Sequence, residues 1–231
     1  MNCLITGGNR GIGKEFCKQL ALAGNRVFLG SRSLEDGINA INDIKRYSPD
    51  IQIQTLQLDV TSINDVQKAY NFLRTEILCL DLLINNAAIM HGSNGVHNEE
   101  ITILKEAMET NLFGPIRMCQ AFLPLLCTSS MPLIVNISSE MGLLSDKEAG
   151  GYGAYRLSKS SLNAFTAHLA FDVNNTHVKV IAVCPGWVQT DMGGQNANRT
   201  PEISVKEMIH LMNNRELISG KFYRFGEQHP W

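Results

Sequence analysis

The sequence predicts an α/β fold: one doubly wound, parallel sheet of about seven strands with helices on both faces. Short apolar runs, typical of strands that are buried on both faces, alternate with longer segments of helical periodicity. This alternation favours parallel pairing through right-handed crossovers. The first apolar run also leads directly into a glycine-rich segment, as it does where a strand turns into the first helix of such a sheet.

The elements follow one another without a linker, repeat or low-complexity tract. The predicted strands, each too short for a helix, are NCLIT, RVFLG, IQTLQL, DLLIN, PLIVNIS and KVIAVC. The predicted helices are GKEFCKQLALA, INAINDIKRY, SINDVQKAYNFLRTE, ILKEAMETNLFGPIRMCQAFLPLL and AYRLSKSSLNAFTAHLAFDV. We therefore expect residues 1–231 to form a single Rossmann-type domain.

Composition narrows the classes of function. Charged residues make up 18% of the 231 residues and the net charge is −2, so the chain has no basic surface for nucleic acid. The six cysteines show no metal-binding spacing, which favours reduced thiols in the cytoplasm. The sequence has neither a signal peptide pattern at its start nor an apolar run of the roughly 20 residues that a membrane helix needs. We expect a cytoplasmic protein without membrane or nucleic-acid partners.

The glycine-rich segment TGGNRGIG predicts a dinucleotide site. Gly7, Gly11 and Gly13 stand where the first strand turns into a helix, and backbone amides at such a turn can bind a pyrophosphate. The spacing is TGxxxGxG rather than GxGxxG. A tight strand–helix turn also favours glycine without any ligand, but the buried strand before it and the amphipathic helix after it favour cofactor binding.

Two arginines indicate which dinucleotide binds. An NAD site places Asp or Glu about 20 residues beyond the glycines, to accept a hydrogen bond from the adenosine ribose. This chain has Ser31 followed by Arg32, and Arg10 lies within the glycine segment. Guanidinium groups suit a 2′-phosphate, so the pattern favours NADP(H), although either arginine alone reads as a solvated surface residue.

A tyrosine and a lysine one helical turn apart indicate acid–base chemistry. Tyr155 and Lys159 are at i and i+4, so they share a helix face, and an adjacent ammonium lowers the pKa of a phenol. Tyr152 and Arg156 have the same spacing. The strand that ends in Ser138–Ser139 brings hydroxyl groups to the ligand-binding edge of the sheet and favours Tyr155 with Lys159.

Together these motifs resemble the short-chain dehydrogenase/reductase family along essentially the whole chain. TGGNRGIG is similar to the family's TGxxxGxG and YRLSK to its YxxxK; INNAA, NISS and PGWVQTDM resemble the NNAG, serine and PG motifs. PGWVQTDMGG and the terminal Pro-Trp resemble the subgroup of carbonyl reductases that includes Sniffer and C-factor. Two departures are Ala88 in place of the glycine of NNAG, and the end KFYRFGEQHPW, which lacks the Asp-Gly-Gly of many members.

The resemblance implies a role for each catalytic residue. Tyr155 protonates the carbonyl oxygen of the substrate, Ser139 donates a hydrogen bond to that oxygen, and Lys159 binds the nicotinamide ribose and lowers the pKa of the tyrosine. Asn111 holds a water that relays protons. The cofactor-binding positions are Gly7, Asn9, Arg10, Gly11, Ile12, Gly13, Ser31, Arg32, Asp59, Val60, Asn86, Ala87, Tyr155, Lys159, Pro185, Gly186, Val188 and Thr190, of which Asp59 and Asn86 hold the adenosine end and the last four the nicotinamide.

The far end of the site is expected to be apolar and covered by a flap. Residues 192–204, MGGQNANRTPEIS, form a polar stretch within a proposed flap at 187–206. The apolar residues that follow strands four to six, and that favour an apolar substrate pocket, are Met90, Met141, Trp187 and Met192. His91 and His97 lack partner ligands at metal-binding spacing, so we expect no metal site.

The leading function is therefore an NADPH-dependent reductase of a small apolar aldehyde, ketone or quinone. A 3-oxoacyl carrier-protein reductase is an alternative, but no clear Lys/Arg cluster offers itself to an acidic carrier. A non-catalytic NADP sensor is another, although a sensor needs no proton donor. The resemblance also implies a homodimer or homotetramer, formed through the helices that begin near residues 99 and 151.

Overall fold

Eight strands form one sheet in the computed structural model, which describes residues 1–145, 150–214 and 216–231. The strands are β1 (Asn2–Thr6), β2 (Arg26–Ser31), β3 (Ile53–Gln57), β4 (Leu82–Asn85), β5 (Leu133–Ile137), β6 (Lys179–Cys184), β7 (Lys221–Arg224) and β8 (Glu227–His229). The first seven are parallel, which confirms the predicted doubly wound sheet. The last is antiparallel to β7, because the chain reverses at Phe225–Gly226.

The order of the strands places a crevice at one edge of the sheet. From the outer strand inward the order is β3-β2-β1-β4-β5-β6-β7-β8, so the direction of winding reverses between β1 and β4. Helices leave on opposite sides at that point, and a cleft opens beyond the carboxyl ends of the strands. The glycine, NNAA, serine and PG motifs each follow one of these strand ends, whereas Tyr155 and Lys159 lie on a helix.

Seven α-helices in the described ranges cover the two faces of the sheet. They are α1 (Gly11–Leu22), α2 (Leu34–Lys45), α3 (Ile63–Glu76), α4 (Ile101–Met108), α5 (Gly114–Leu126), α6 (Gly153–Asp172) and α7 (Pro201–Met212). Side-chain oxygens cap the first turns of three of them: Ser33 for α2, Ser62 for α3 and Thr200 for α7. None of these helices is long and apolar enough to cross a membrane.

One π-helical turn interrupts what the sequence predicts as a single helix over 103–126. Residues Glu109–Phe113 form this turn between α4 and α5, and Asn111 lies within it. Such turns occur mostly at functional sites, because the extra residue redirects one side chain. Here the redirected side chain is the asparagine that the sequence motifs had indicated.

Two hydrophobic layers lie on the two faces of the sheet. Along β1, Cys3 and Ile5 pack into one layer and Leu4 into the other, all with no exposed surface. Phe16 in the first layer and Phe122 in the second are also fully buried. A buried side chain of this size contributes about 1.5–3 kcal/mol, so the sheet is a stable platform for the loops at its edge.

The expected flap at 187–206 is more ordered than its composition indicated. Residues 201–206 are not loop but the first half of α7. The preceding loop is fastened to itself: the backbone N–H of Gln189 donates to Arg199 at 2.8 Å, and the indole of Trp187 donates to the Gly193 carbonyl at 2.7 Å. The second part of the expected flap is therefore helical, and its movement over the site stays a prediction.

Candidate active site

A cleft of about 1050 Å³ runs along the carboxyl edge of the sheet, between the glycine turn and the start of α6. Of the residues that the sequence motifs indicated, all but Asn111 line it. Those lining residues are Gly7, Asn9, Arg10, Gly11, Ile12, Gly13, Ser31, Arg32, Asp59, Val60, Asn86, Ala87, Ser139, Tyr155, Lys159, Pro185, Gly186, Val188 and Thr190. Gly7 and Thr190, which are 183 positions apart in the sequence, thus share one cleft.

The glycine turn leaves no room for side chains. Gly7 and Gly11 have left-handed backbones, with φ of 63° and 53°. A Cβ on Gly13 would lie 2.2 Å from the Gly7 carbonyl oxygen, so only glycine allows α1 to start this close to β1. Asn86 completes the turn by donating to the carbonyls of Thr6 at 2.9 Å and Gly7 at 3.1 Å. Its side chain therefore fixes the turn, whereas the sequence motifs had placed it at the adenosine.

The end of β2 carries two features that suit a ligand. The Ser31 hydroxyl is buried and has no hydrogen-bond partner among the described residues. Arg32 beside it is exposed and, within the part of the chain that the structure describes, forms no ion pair. Arg10 differs, because it pairs with Asp191 at 3.0 Å. An unpaired cation and an unsatisfied hydroxyl meet at this end of the cleft.

The carboxylate of Asp59 already accepts hydrogen bonds from its own loop. One oxygen of its carboxylate, Oδ1, accepts from the Thr61 N–H at 2.9 Å and from the Thr61 hydroxyl at 2.7 Å. This turn shapes the cleft wall after β3, and the second oxygen, Oδ2, is left for a ligand. Val60 next to it is buried and packs against Gly114, where a Cβ would approach the valine side chain to 2.7 Å.

Tyr155 and Lys159 form a buried pair on the cleft side of α6. They are 8% and 2% exposed, and the lysine ammonium lies 5.5 Å from the centre of the tyrosine ring. Lys159 Nζ donates to the Ile137 carbonyl at 2.8 Å. Burial lowers the pKa of Lys159 to about 8, so the ammonium remains the major form at neutral pH, with donors left for a ligand.

The pKa of Tyr155 changes in the direction opposite to the one expected. Burial raises it above its usual value of about 10, the nearby Cys184 thiol adds to this, and a hydrogen bond with Ser139 acts against it. Desolvation of the phenolate outweighs the hydrogen bond with Ser139. Tyr155 therefore rests as a protonated phenol, which is the form that can donate a proton.

The second tyrosine–basic pair is placed differently. Tyr152 is 39% exposed and precedes α6 with a left-handed backbone, φ 53°. Arg156 donates to the carbonyl of Gly151 at 3.2 Å and to that of Met141 at 3.5 Å. Arg156 thus fastens the start of α6, and Tyr152 lies at the mouth of the cleft.

The two serines after β5 face in different directions. Ser138 is 2% exposed and donates to Asn163 Oδ1 at 2.5 Å, beneath the cleft. The Ser139 hydroxyl accepts from the Met141 N–H at 3.1 Å, and its side chain is also hydrogen-bonded to Tyr155. Ser139, and not Ser138, therefore faces Tyr155 across the site.

Asn111 lies just behind the cleft, in the π-helical turn, and is fully buried. Its amide accepts from the Ile89 N–H and donates to the Ile89 carbonyl, each at 2.8 Å, and also donates to Ser158 Oγ at 2.9 Å. Both amide hydrogens are thus given to protein atoms. The side chain therefore fixes the loop after β4 to α6, and the expectation that Asn111 holds a proton-relaying water stays a prediction.

The loop after β6 forms the wall opposite Tyr155. Cys184 ends the strand, and its sulfur accepts from the Gly186 N–H at 3.4 Å. The Pro185 carbonyl accepts from Ser204 of α7 at 2.7 Å, and Val188 forms a β-bridge with Arg199. These contacts give Pro185, Gly186, Val188 and Thr190 a fixed position along the cleft.

The apolar residues that the sequence indicated for the substrate end also line the cleft. The four apolar residues expected there, Met90, Met141, Trp187 and Met192, all line it. Ile89 and Tyr152 also line it, and the sequence reasoning had not placed them there. No group of three or more metal-binding side chains occurs in the described ranges, and His91 lies 3.5 Å from Glu106.

Known proteins resemble this chain in sequence and in fold. A family model described as short chain dehydrogenase matches residues 1–201. The chain is 34% identical to a (+)-neomenthol dehydrogenase of Arabidopsis thaliana, over 95% of this chain and 94% of that protein. It matches the NADPH-bound carbonyl reductase from chicken fatty liver with a TM-score of 0.90, at 30% identity over 100% of this chain and 98% of the other.

Another solved structure is the carbonyl reductase Sniffer of D. melanogaster, with a TM-score of 0.89 and 29% identity over 97% of this chain and 96% of that one. The resemblance that the motifs indicated is thus found along the full length of the fold. The glycine turn, the buried tyrosine–lysine pair and these likenesses agree, and the chain belongs to the short-chain dehydrogenase/reductase family of oxidoreductases.

Proposed function

We propose that this chain is an NADPH-dependent carbonyl reductase that acts on a small apolar aldehyde, ketone or quinone. The observation that carries the proposal is the protonated, buried Tyr155, which lies with Lys159 and Ser139 where the apolar end of the cleft meets the glycine-turn end. A proton donor at that junction can serve a reaction between a dinucleotide on one side and an apolar substrate on the other.

The residues of the cleft fit a dinucleotide. The glycine turn excludes a Cβ at Gly13 and so leaves its backbone open to a pyrophosphate, and the unsatisfied Ser31 hydroxyl faces the adenosine end. When bound there, the nicotinamide supplies the hydride. The walls formed by Pro185, Gly186 and Val188 would hold it beside Tyr155.

Arg32 favours NADPH over NADH. It is an unpaired cation at the end of β2, where a carboxylate would accept from the ribose of NADH. Arg10 can contribute only by leaving Asp191, so Arg32 is expected to provide most of the preference. The NADPH bound in the chicken carbonyl reductase, 30% identical to this chain, supports the same choice.

The catalytic side chains divide the work in the reducing direction. Tyr155 donates its proton to the substrate oxygen as charge develops there, and the Ser139 hydroxyl donates a hydrogen bond to the same oxygen. The Lys159 ammonium stabilises the tyrosinate that remains. Asn111 keeps α6 and the loop after β4 in register, so that these groups stay aligned.

The substrate end favours an apolar carbonyl compound. Its lining combines thioether and aromatic side chains, Met90, Met141, Trp187 and Met192, with no charged side chain among those four. The name of the Arabidopsis relative refers to an apolar cyclic alcohol, which agrees with this class. The product of the reaction is then the corresponding alcohol.

We also propose that the protein assembles as a homodimer or homotetramer through α4 and α6. The outer side chains of these helices include Ile101, 64% exposed, and Leu157, 41% exposed. Apolar residues on neighbouring helices are what a subunit interface would bury. Analytical ultracentrifugation tests this: a monomer at micromolar concentration contradicts it.

The experiment that tests the function is NADPH oxidation, followed at 340 nm, with a panel of aliphatic aldehydes, cyclic ketones, quinones and an acetoacetyl carrier protein. We expect turnover with apolar ketones or quinones and none with the carrier protein. Turnover confined to the carrier-bound substrate would instead support the acyl-carrier reductase. NADPH binding with no turnover on any carbonyl would contradict the proposal and favour a sensor.

A further inference from the structure

The two loops that flank the candidate active site are connected to each other. The loop after β5 carries Ser139, and the loop after β6 carries Gly186. Both backbones donate to one sulfur: the Glu140 N–H lies 3.3 Å from Cys184 Sγ, and the Gly186 N–H lies 3.4 Å from it. A shift of either loop would therefore disturb the other.

A stack of side chains from the end of the sheet supports both loops from behind. Arg224, the last residue of β7, forms an ion pair with Glu140 at 2.5 Å, next to Ser139. The guanidinium of Arg224 also lies 4.6 Å from the centre of the Phe225 ring, and that of Arg199 lies 4.5 Å from the same ring. The guanidinium groups of Arg224 and Arg199 therefore both lie close to the Phe225 ring.

The same ring supports the second loop. A Cβ on Gly186 would lie 2.9 Å from the Phe225 ring and 2.8 Å from Arg199 Cδ, so the backbone of this loop rests directly on the stack. Arg199 is held in turn by an ion pair with Glu207 of α7. The stack therefore contacts the loop after β5 through Glu140 and the loop after β6 through Gly186.

Two observations indicate that the arrangement is specific. Phe225 has φ of 52°, a left-handed conformation that bulky residues rarely adopt, and with Gly226 it forms the two-residue turn between β7 and β8, which fixes where its ring lies. The Nε atoms of Arg199 and Arg224 are buried and find no hydrogen-bond partner in the described residues. The ring and the carboxylates are therefore the main partners of these two guanidiniums.

We infer that Arg224 is a positioning residue for the proposed reaction: through Glu140 and the ring of Phe225, it holds Ser139 and the Gly186 loop in one fixed arrangement. The inference rests on the proposed function for its effect on turnover, but the effect on loop rigidity is independent of it. It also explains how the chain end, which lacks the Asp-Gly-Gly of many family members, is used.

The matched control is another arginine with the same two contacts away from the site. Arg26 begins β2 at the opposite end of the sheet, pairs with Glu76 at 2.6 Å and lies 5.1 Å from the Phe28 ring. The exposures of the two ion pairs are also alike, 33% and 37% against 31% and 33% for Arg224 and Glu140. Arg26 also donates to the Glu76 carbonyl at 2.9 Å, so Arg26→Gln removes the same two kinds of contact as Arg224→Gln and one hydrogen bond more, but far from the cleft.

Turnover is the first measurement. Complete loss of one hydrogen-bond donor to a developing oxyanion costs about 10²–10³ in kcat. Ser139 stays in place in Arg224→Gln but is less confined, so we expect about a tenfold lower kcat with KM changed by less than about twofold. Arg224→Lys, which keeps the charge but loses the planar group, should recover part of kcat. Glu140→Gln breaks the same ion pair from the other side and should lower kcat similarly.

The pH profile of alcohol oxidation is a second measurement, which general destabilisation would not move. Ser139 lowers the pKa of Tyr155, and oxidation needs the tyrosinate. If Ser139 loses its position, the rising limb of kcat/KM should move to higher pH in Arg224→Gln. It should remain in place in Arg26→Gln.

The third measurement is the hydrogen exchange of the full-length protein with no ligand added. We expect faster exchange in Arg224→Gln at peptides covering 138–142 and 185–188, and wild-type rates there in Arg26→Gln. Unchanged exchange, or a kcat equal to that of Arg26→Gln, would overturn the inference. If the wild-type protein reduces no carbonyl, the proposed function fails, and the exchange rates alone decide whether Arg224 positions the loops.

Discussion

Removing Arg32 is the most direct test of cofactor choice. The side chain is exposed at the end of β2, lines the cleft and forms no ion pair with any residue that the structure describes. Arg32→Ala therefore breaks no ion pair or side-chain hydrogen bond among the described residues. Any change in cofactor use must come from the lost interaction with the 2′-phosphate, which NADPH has and NADH lacks.

The size of the preference for NADPH over NADH depends on how many arginines are free to bind the 2′-phosphate. A hydrogen bond to a charged group contributes about 1.5–3 kcal/mol, and exposure to solvent reduces this towards the lower figure. Arg10 must leave Asp191 before it can bind the phosphate, and an exposed pair of this kind contributes about 0–1 kcal/mol. One free arginine and one partly engaged arginine give a preference for NADPH of roughly 10- to 100-fold in kcat/KM, near the lower end.

The assay compares kcat/KM for NADPH and NADH at 20 mM and 300 mM salt. Arg32→Ala should lose most of the preference by weakening NADPH, with NADH use nearly unchanged, and high salt should shrink the preference of the wild-type protein. Arg74→Ala, which removes an exposed arginine of α3 far from the cleft, is the control. Equal use of both cofactors by the wild-type protein at low salt would refute the reasoning.

Three further outcomes are expected. Tyr155→Phe should abolish turnover while NADPH still binds in a fluorescence titration, whereas Tyr152→Phe should keep most activity; the reverse would assign the wrong tyrosine. Gly13→Ala should abolish NADPH binding, since its Cβ would lie 2.2 Å from a backbone oxygen, and Gly150→Ala, with open space around it, should not. The pKa of Lys159 is lowered to about 8, so the unfolded state binds the extra proton and the stability of the ligand-free protein should rise from pH 8 to 10. Lys159→Met should lack that increment in urea unfolding, and parallel curves would contradict it.

The sequence predicted the architecture because the signals for it are local. Apolar runs such as NCLIT and KVIAVC are strands whether or not a ligand binds, and the glycine turn follows the first of them directly. The antiparallel β8 was not predicted as a separate strand. The turn that leads into β8 requires left-handed backbones at both Phe225 and Gly226. Phenylalanine rarely adopts this conformation, so the sequence does not predict the turn.

The sequence predicted which residues form the site, but not which contacts they make with one another. All but one of the catalytic and cofactor-binding residues that the motifs identified line the cleft, because most of the motifs follow strand ends. The pairing of Arg10 with Asp191 joins residues 181 positions apart, and no local pattern predicts it. Likewise, two adjacent serines do not reveal from sequence which hydroxyl faces the cleft. The position of Ser138 is fixed by its hydrogen bond to Asn163 of α6, which is distant in the sequence.

The pKa values could not be read from spacing, because burial depends on the whole fold. A lysine one turn from a tyrosine suggests a lowered phenol pKa, but both groups are buried, and burial favours the neutral form of each. The consequence suits reduction. A donor with a raised pKa stays loaded with its proton at neutral pH, and Lys159, whose pKa is about 8, is still mostly charged when Tyr155 gives that proton up. The ammonium therefore stabilises the tyrosinate only as it forms. This lowers the barrier to proton transfer, while Tyr155 stays protonated before the reaction.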